Sequence, residues 1–345
     1  TILYSMLDVG NPYMYLGYFI DDIRYEKDYG EAVLTYAGKL MGYAAYGKVR
    51  KEWKEPLKEY YLGWDRTDYI PIEKEAPVMM KKLGDATGLS FHYNEDKMSE
   101  FHEHPEPSKR LKGRNAKDLI ATSQKVFEEL VFNEIKPYID EYKTNVCLTG
   151  GCAMNILLNS IIRKYVRSKY NKDVYVAPNT SDSGIATGLV LDYVRPSTPP
   201  DLTYGGEDII DKEIFFSYTT NKDLTRWEHA SLDYILTLIQ DEKIIGLVQG
   251  NSEHGPRALG NRSIICSPGQ GMKNKLNKIK KREFFRPFAP IVRLEDVSKY
   301  FNWAGESRSM SYSCTVKSKY KVQLHSVIHA DKTSRVQTIT REQNR

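Results

Sequence analysis

Residues 253–263 hold the strongest pattern of potentially reactive side chains in the sequence. They read Glu-His-Gly-Pro-Arg-Ala-Leu-Gly-Asn-Arg-Ser, so two arginines stand among glycines in one polar loop after a predicted strand. Guanidinium groups bind the oxygens of phosphate or carboxylate in pairs, which makes this loop a candidate anion site. The candidate ligands within it are the two arginines, Arg257 and Arg262.

A second basic segment, residues 280–290, places Lys280 and Arg286 among phenylalanines and prolines. Charges beside a packed apolar surface need an anionic partner, either an internal carboxylate or a bound phosphate. Residues 270–286 contain seven Lys and Arg against one glutamate, a net charge of +6, whereas the whole chain carries +5. The remainder is therefore close to neutral, which argues against a nucleic acid partner.

Polar residues also alternate near the end of the chain, at His329, Asp331, Thr333, Arg335 and Gln337. Alternate side chains of a strand share one face, so the pattern predicts a strand that lines a polar cleft or lies exposed.

Two earlier turns are candidates for other ligands. Gly150 and Gly151 lie between a predicted strand and helix, where backbone N–H groups bind phosphate or ribose, unless the turn serves helix packing alone. Asn155, placed one turn into that helix, could add a contact. Asp182 precedes another predicted helix, where it could cap the helix or bind a metal, and the spacing favours the cap.

The elements around these turns follow an α/β order. Apolar spacing predicts a helix over 116–142, broken near Pro137, and residues 51–112 look like an irregular insertion rich in loops. The further predicted elements are a strand at 145–148, a helix after 154, a strand at 174–177, a helix from 185, a helix at 230–241, a strand at 243–248 and a helix from 272. Residues 196–200 form a proline-rich linker.

Composition bounds the class of protein. A length of 345 residues suggests about two domains, and 41% hydrophobic with 28% charged residues indicates a globular chain with a core. We expect no membrane span, since no apolar run of about 18 residues occurs. Four cysteines without a C-x-x-C pair indicate reduced thiols in the cytoplasm. The start without methionine suggests a fragment.

The motifs occur in the order found in the O-carbamoyltransferase family of nodulation proteins and antibiotic-tailoring enzymes, which the chain resembles. The matching segments are residues 38–47, 149–155, 182–184, 255–263, 280–290 and 329–337. The resemblance implies an actin/Hsp70/sugar-kinase-like domain in residues 1–200, lacking its N-terminal part, and a YrdC-like α/β domain in residues 201–345. It also implies that both ends are truncated.

The same resemblance implies a reaction. Carbamoyl phosphate and ATP would give carbamoyl adenylate and pyrophosphate, and the carbamoyl group would pass to a hydroxyl of a small-molecule or glycan acceptor near iron or another divalent metal. Lys280, Arg286 and Arg335 would be catalytic, and Arg257, Asn261, Arg262, Ser263 and His329 would bind carbamoyl phosphate. Lys39, Gly150, Gly151 and Asn155 would bind nucleotide, and Asp182 would bind the metal.

One departure leaves alternatives open. The family's metal site uses histidines before the segment at 38–47, whereas the first histidine here is His92. A catalytically incomplete nucleotide-binding scaffold is therefore one alternative. Threonylcarbamoyl adenylate chemistry for tRNA modification is another, although it would favour a broader basic surface.

Overall fold

The computed structural model describes residues 8–23, 32–64, 72–98, 105–198, 200–208 and 230–343. The N-terminal part is mainly helical. Its helices are α1 (Gly10–Tyr15), α2 (Ala32–Ala44), α3 (Lys54–Leu62), α4 (Ile72–Thr87) and α5 (Gly113–Tyr142), and β1 (His92–Met98) pairs antiparallel with β2 (Pro105–Lys109). Helices α2 and α3 pack against α5, which thus forms the centre of this half.

Helix α5 carries the predicted apolar stripe, with Leu119, Ile120 and Phe127 buried in the main core. The break predicted near Pro137 is wrong, because one helix of 30 residues runs through it. A proline inside a helix costs about 3 kcal/mol. Burial stabilises each large apolar side chain by roughly 1.5–3 kcal/mol, so packing of the stripe outweighs the proline.

In the described part of the segment predicted to be an irregular insertion, residues 51–112, α3 and α4 are regular helices, and their buried side chains belong to the main core. Tyr60 and Tyr61 of α3 are buried. The Tyr60 hydroxyl donates to the Pro12 carbonyl at 2.9 Å, and the Tyr61 hydroxyl lies 2.6 Å from Ser123 Oγ in a shared hydrogen bond. Two prolines of this segment lie within helices, Pro56 in α3 and Pro77 in α4. Pro56 lies in the first turn of α3, where its missing N–H costs little.

The predicted α/β order is confirmed in the middle of the chain. Strands β3 (Val146–Leu148) and β4 (Val174–Val176) pair in parallel, and α6 (Ile156–Tyr170) connects them. Helix α7 (Ile185–Val194) follows the polar loop after β4, as predicted. The carboxyl ends of both strands therefore lie side by side and bring the turns at 149–155 and 178–184 to one edge.

The C-terminal part builds a second, smaller core around Val297, Phe301 and Val336. Its elements are α8 (Leu232–Gln240), β5 (Ile245–Val248), β6 (Arg262–Ile265), α9 (Met272–Ile279), β7 (Ile291–Arg293), α10 (Val297–Tyr300), β8 (Cys314–Thr315), β9 (Thr333–Ser334) and β10 (Gln337–Ile339). The pairs β5–β6 and β8–β9 are antiparallel, and β7–β10 is parallel.

The single strand predicted over residues 329–337 is wrong. His329 and Lys332 form a turn, with the Lys332 amide donating to the His329 carbonyl at 2.9 Å and Lys332 at φ 69°. Asp331 accepts a 2.9 Å bond from the Thr333 amide, which fixes this turn and ends the alternation. Helix α9 buries Met272 and Leu276, whereas Ile279 at its end is 56% exposed.

The structure is a mixed α/β protein with small two-stranded sheets. The actin/Hsp70-like and YrdC-like assignments and the boundary near residue 200 stay predictions. Within the described ranges, no helix is both long and apolar enough to cross a membrane. Cys147, Cys152, Cys266 and Cys314 are free thiols.

Asp118 ties the end of α2 to α5 and provides a first test. Its buried carboxylate accepts from the Lys48 amide at 2.8 Å and from Arg50 Nε at 2.7 Å. Burial would raise the pKa of Asp118, but these donors hold it below its usual value. We expect Asp118→Asn to lower the free energy of unfolding by about 2 kcal/mol, measured by urea denaturation.

The matched control is Asp85→Asn, which removes an exposed carboxylate paired with Lys81 at 2.8 Å. It should change stability by less than about 1 kcal/mol. Because the folded pKa of Asp118 is depressed, its contribution is present above the usual carboxyl pKa and is lost as pH falls through the folded value. Equal losses in the two variants would contradict the role assigned to Asp118.

Candidate anion site

Arg257, Arg282, Arg286 and Arg335 come from three segments and are called the arginine cluster below, because Arg335 is repelled by Arg257 and Arg286, and Arg282 by Arg286 and Arg335. Arg335 is mostly buried there, and its Nε is a buried donor without an acceptor among the described residues. Burial, followed by repulsion from Arg257 and Arg286, lowers the pKa of Arg335 to about 9. That value is above neutral pH, so the guanidinium stays charged and attracts an anion.

Arg282 is a member of the cluster to which the sequence analysis assigned no role. Its Nη2 donates to the Pro287 carbonyl at 3.0 Å, and its guanidinium lies 4.5 Å from the centre of the Phe288 ring. Burial first, and then Arg286 and Arg335, lower the pKa of Arg282 to about 10. Its position among the phenylalanines of the basic segment is the signal that could have identified it.

Glu283 is the buried carboxylate beside the cluster, and it pairs with Lys39 of α2. Lys39 Nζ lies 3.0 Å from Oε1, whereas Arg286 Nη1 lies 3.7 Å from Oε2. Burial would raise the pKa of Glu283, but its own backbone N–H, Lys39 and Arg286 hold it below its usual value. Lys39, predicted to bind nucleotide, is thus committed to an ion pair between the two halves of the chain.

Arg257 connects the cluster with the turn after β3. Its guanidinium donates to the carbonyls of Ser309 at 3.1 Å, Met310, and Met154 at 3.4 Å. Burial lowers the pKa of Arg257 to about 10. It also lines a small cleft whose other walls are Ala153, Met154, Val176, Ala177, Pro178, Thr180, Pro256, Ser309 and Ser311. The structure therefore brings the two predicted binding loops together.

Glu253 organises the loop that carries Arg257. Its Oε1 accepts from the backbone N–H groups of Leu259 at 2.8 Å, Asn261 at 2.8 Å and Arg262 at 3.0 Å. Burial would raise the pKa of Glu253, but these backbone donors hold it below its usual value. Glu253 was assigned no role from the sequence, although its place at the start of the loop was the available signal.

Three predicted anion ligands hold this loop through backbone contacts. Arg262 donates to the carbonyls of Gln249 at 2.6 Å and Gly250 at 3.0 Å, although its Nε is buried without an acceptor in the described part. Asn261 Nδ2 donates to the Asn251 carbonyl at 2.7 Å, and Ser263 Oγ accepts from the Gly260 amide at 2.9 Å. Arg262, Asn261 and Ser263 therefore shape the loop, and their contact with substrate stays a prediction.

His329 and Lys280 occupy different environments. His329 is buried, its Nδ1 lies 3.6 Å from Asp331 Oδ1, and its Nε2 has no hydrogen-bond partner among the described residues. Its ring contacts Tyr46 at a centroid distance of 5.8 Å, beside the segment around Arg286. Lys280 is exposed at the end of α9, and within the described ranges no contact joins its ammonium group to the arginine cluster.

The predicted nucleotide turn is open at Gly150 and Gly151, since an added Cβ would meet no atom within 4 Å at either position. Asn155 differs from its predicted placement one turn into the helix, because it is the N-cap of α6. Its Oδ1 accepts from the Leu158 amide at 3.1 Å and from Gln124 Nε2 at 3.1 Å. The side chain is thus engaged in the core below the turn.

Asp182, the predicted metal ligand, is exposed in the first turn of a short 3-10 helix whose N-cap is Ser181. In the described part of the chain, no three His, Cys, Asp or Glu side chains are grouped to hold a metal. The described residues therefore do not assemble a complete metal site. The pair His102 and His104, which could resemble metal ligands in sequence, lies outside the described residues.

The loops on the two sides of the cleft touch at Gly255. Its φ is 119°, and an added Cβ would lie 2.4 Å from the Pro178 carbonyl oxygen. His254 Nε2 lies 2.8 Å from Thr187 Oγ1 on the same side. A residue without a Cβ is therefore required for this close approach.

Comparison with family models identifies both halves of the chain. Residues 4–191 match the model described as carbamoyltransferase N-terminus, and residues 236–345 match carbamoyltransferase C-terminus. The chain belongs to the carbamoyltransferase family. The arginine cluster lies in the part matched by the C-terminal carbamoyltransferase model, and Lys39 lies in the part matched by the N-terminal one.

Known carbamoyltransferase relatives are longer. Nodulation protein U of Bradyrhizobium diazoefficiens is 29% identical over 321 residues, covering 89% of this chain and 52% of that protein. Nodulation protein NolO of the same organism is 30% identical, covering 89% and 54%. The 3'-hydroxymethylcephem-O-carbamoyltransferase of Streptomyces clavuligerus is 34% identical over 208 residues, covering 58% and 38%. The chain spans about half the length of the two nodulation proteins.

Proposed function

We propose that this chain carries the donor-activating site of an O-carbamoyltransferase. The observation that supports it most directly is the arginine cluster, whose neighbouring buried carboxylate, Glu283, is paired with Lys39. A group of positive charges with little compensation from neighbouring carboxylates favours a polyanionic ligand. Carbamoyl phosphate and ATP are such ligands.

In the proposed reaction, carbamoyl phosphate and ATP give carbamoyl adenylate, and the carbamoyl group then passes to a hydroxyl of a small-molecule or glycan acceptor. Because carbamoyl adenylate retains only the α-phosphate of ATP, the balanced step consumes one water and releases inorganic phosphate and pyrophosphate. Negative charge on phosphate oxygens would be stabilised by guanidiniums held in place before the reaction. Arg257, Arg282, Arg286 and Arg335 are the groups proposed to do this.

The open turn at Gly150 and Gly151 would receive part of the nucleotide, since Arg257 links this turn to the arginine cluster. The metal is kept separate from this proposal. Iron or another divalent metal at Asp182 would assist carbamoyl transfer, but the described residues supply no complete ligand set, so we derive no step through it.

The decisive experiment measures products without an acceptor. The chain is incubated with ATP and carbamoyl phosphate, and phosphate and pyrophosphate are quantified. We expect both products, with pyrophosphate release dependent on carbamoyl phosphate. The matched variants are Arg286→Ala in the arginine cluster and Arg293→Ala, which removes an exposed arginine whose Nε donates to Asp296 at 2.8 Å. Only Arg286→Ala should reduce release.

Two outcomes would contradict the proposal. A folded chain that binds ATP but releases no pyrophosphate would indicate a nucleotide-binding scaffold. Pyrophosphate release with threonine and bicarbonate, but not with carbamoyl phosphate, would indicate threonylcarbamoyl adenylate chemistry.

A further inference from the structure

The ion pair between Lys39 and Glu283 stands out among the charged groups near the arginine cluster, because both side chains are only 3% exposed. Glu283 follows Arg282 directly and precedes Arg286 by three residues. A buried carboxylate at that position is the internal group best placed to neutralise the arginines.

The contact distances show which cation holds this carboxylate. Oε1 lies 3.0 Å from Lys39 Nζ, whereas Oε2 lies 3.7 Å from Arg286 Nη1, outside hydrogen-bond distance. Arg282 directs its Nη2 to the Pro287 carbonyl instead, at 3.0 Å. Lys39 therefore makes the short contact with Glu283, and the carboxylate neutralises little of the positive charge of the arginines.

We propose that Lys39 is a positioning residue that holds the Glu283 carboxylate away from the arginine cluster and so keeps the anion site open. The inference rests on the proposed function, because it specifies how that site stays available to the phosphate of the donor. Without the lysine, the Glu283 carboxylate would form ion pairs with Arg286 and Arg282 and so compete with the incoming anion. Attraction of this kind is strong where water is excluded.

The pair also joins the two matched parts of the chain. Lys39 lies on α2, in the part that matches the N-terminal family model, and Glu283 lies in the part that matches the C-terminal one. The rings of Tyr43 and Phe285 pack next to the pair with centroids 5.1 Å apart. The anion affinity of the C-terminal part thus depends on a lysine supplied by the N-terminal part.

The test is a double-variant cycle on the full chain with inorganic phosphate as the probe, measured by titration calorimetry. Lys39→Met should weaken phosphate binding about 10-fold, equivalent to about 1.4 kcal/mol. Glu283→Gln should bind phosphate more tightly than the unaltered chain, since it removes the competing carboxylate. The double variant should recover phosphate affinity to within about threefold of the unaltered chain. Circular dichroism verifies the fold of each variant.

The outcomes separate the inference from the function on which it rests. An unaltered chain that binds no phosphate would overturn the proposed function and the inference with it. Phosphate binding that Lys39→Met leaves unchanged would overturn the inference alone. A double variant as weak as Lys39→Met would do the same, because Lys39 would then contact the anion itself. If Lys39→Met fails to fold, weaker binding by Glu283→Gln overturns the inference.

Discussion

Replacing Arg335 by alanine should reduce pyrophosphate release by about 100-fold or more, the usual loss when a charged donor held in place for the reaction is removed. The structure gives Arg335 little part in stability. Its Nε has no acceptor in the described part of the chain, and it is repelled by Arg257 and Arg286. We therefore expect the melting temperature of Arg335→Ala to equal or exceed that of the unaltered chain.

Two further variants make this prediction specific. Arg335→Lys retains the charge but not the planar pair of donors. Its rate of pyrophosphate release should therefore lie between those of the unaltered chain and Arg335→Ala. Arg293→Ala removes an exposed arginine whose Nε donates to Asp296 at 2.8 Å, and it should leave release unchanged. A fall in activity that only parallels a fall in melting temperature would assign Arg335 a structural role.

Replacing Glu253 by alanine should disable the same site by a different route, through loss of loop structure. Its carboxylate accepts three backbone N–H groups, from Leu259, Asn261 and Arg262, and alanine leaves all three without this acceptor. Hydrogen bonds to a charged group contribute about 1.5–3 kcal/mol each and are not additive, so we expect a loss of about 3 kcal/mol in unfolding free energy. Phosphate affinity should fall with it.

The control for Glu253→Ala is Glu295→Ala, which removes an exposed carboxylate and should be nearly neutral. The pH dependence gives a second measurement. Since the pKa of Glu253 is depressed in the folded chain, its stabilisation is present above 4.5 and is lost as pH falls through the folded value. The unaltered chain should therefore lose more stability than Glu253→Ala on acidification, and parallel pH profiles would refute the assignment.

Local patterns predicted the elements that position the site better than they predicted its contacts. Strands β3 and β4 and helix α6 follow from alternating apolar and glycine-rich segments, and the structure confirms them. Helices α3 and α4 were not predicted, because the prolines and charges of residues 51–112 resemble a loop. Its burial depends on tyrosines such as Tyr60 and Tyr61, whose hydroxyls find partners only in the folded core.

In the candidate anion site, too, local patterns identified residues but not the contacts between them. Residue type alone pointed to Arg257, Arg286 and Arg335, and the structure brings these three together, although their roles stay predictions. The pairing of Lys39 with Glu283 joins distant parts of the chain and leaves no local pattern. The N-cap role of Asn155 depended on where α6 begins, and helix ends are the part of a sequence pattern that is hardest to place.

The close approach of Gly255 to the Pro178 carbonyl has a consequence for chimeras between carbamoyltransferases. Because a Cβ at position 255 would lie 2.4 Å from that oxygen, the loop of one half is shaped to the backbone of the other. Exchanging either half with that of a relative would preserve the cleft only where the incoming sequence keeps glycine at this position or shifts the facing loop. The absence of a side chain at Gly255 thus determines how closely the two halves can pack at this point.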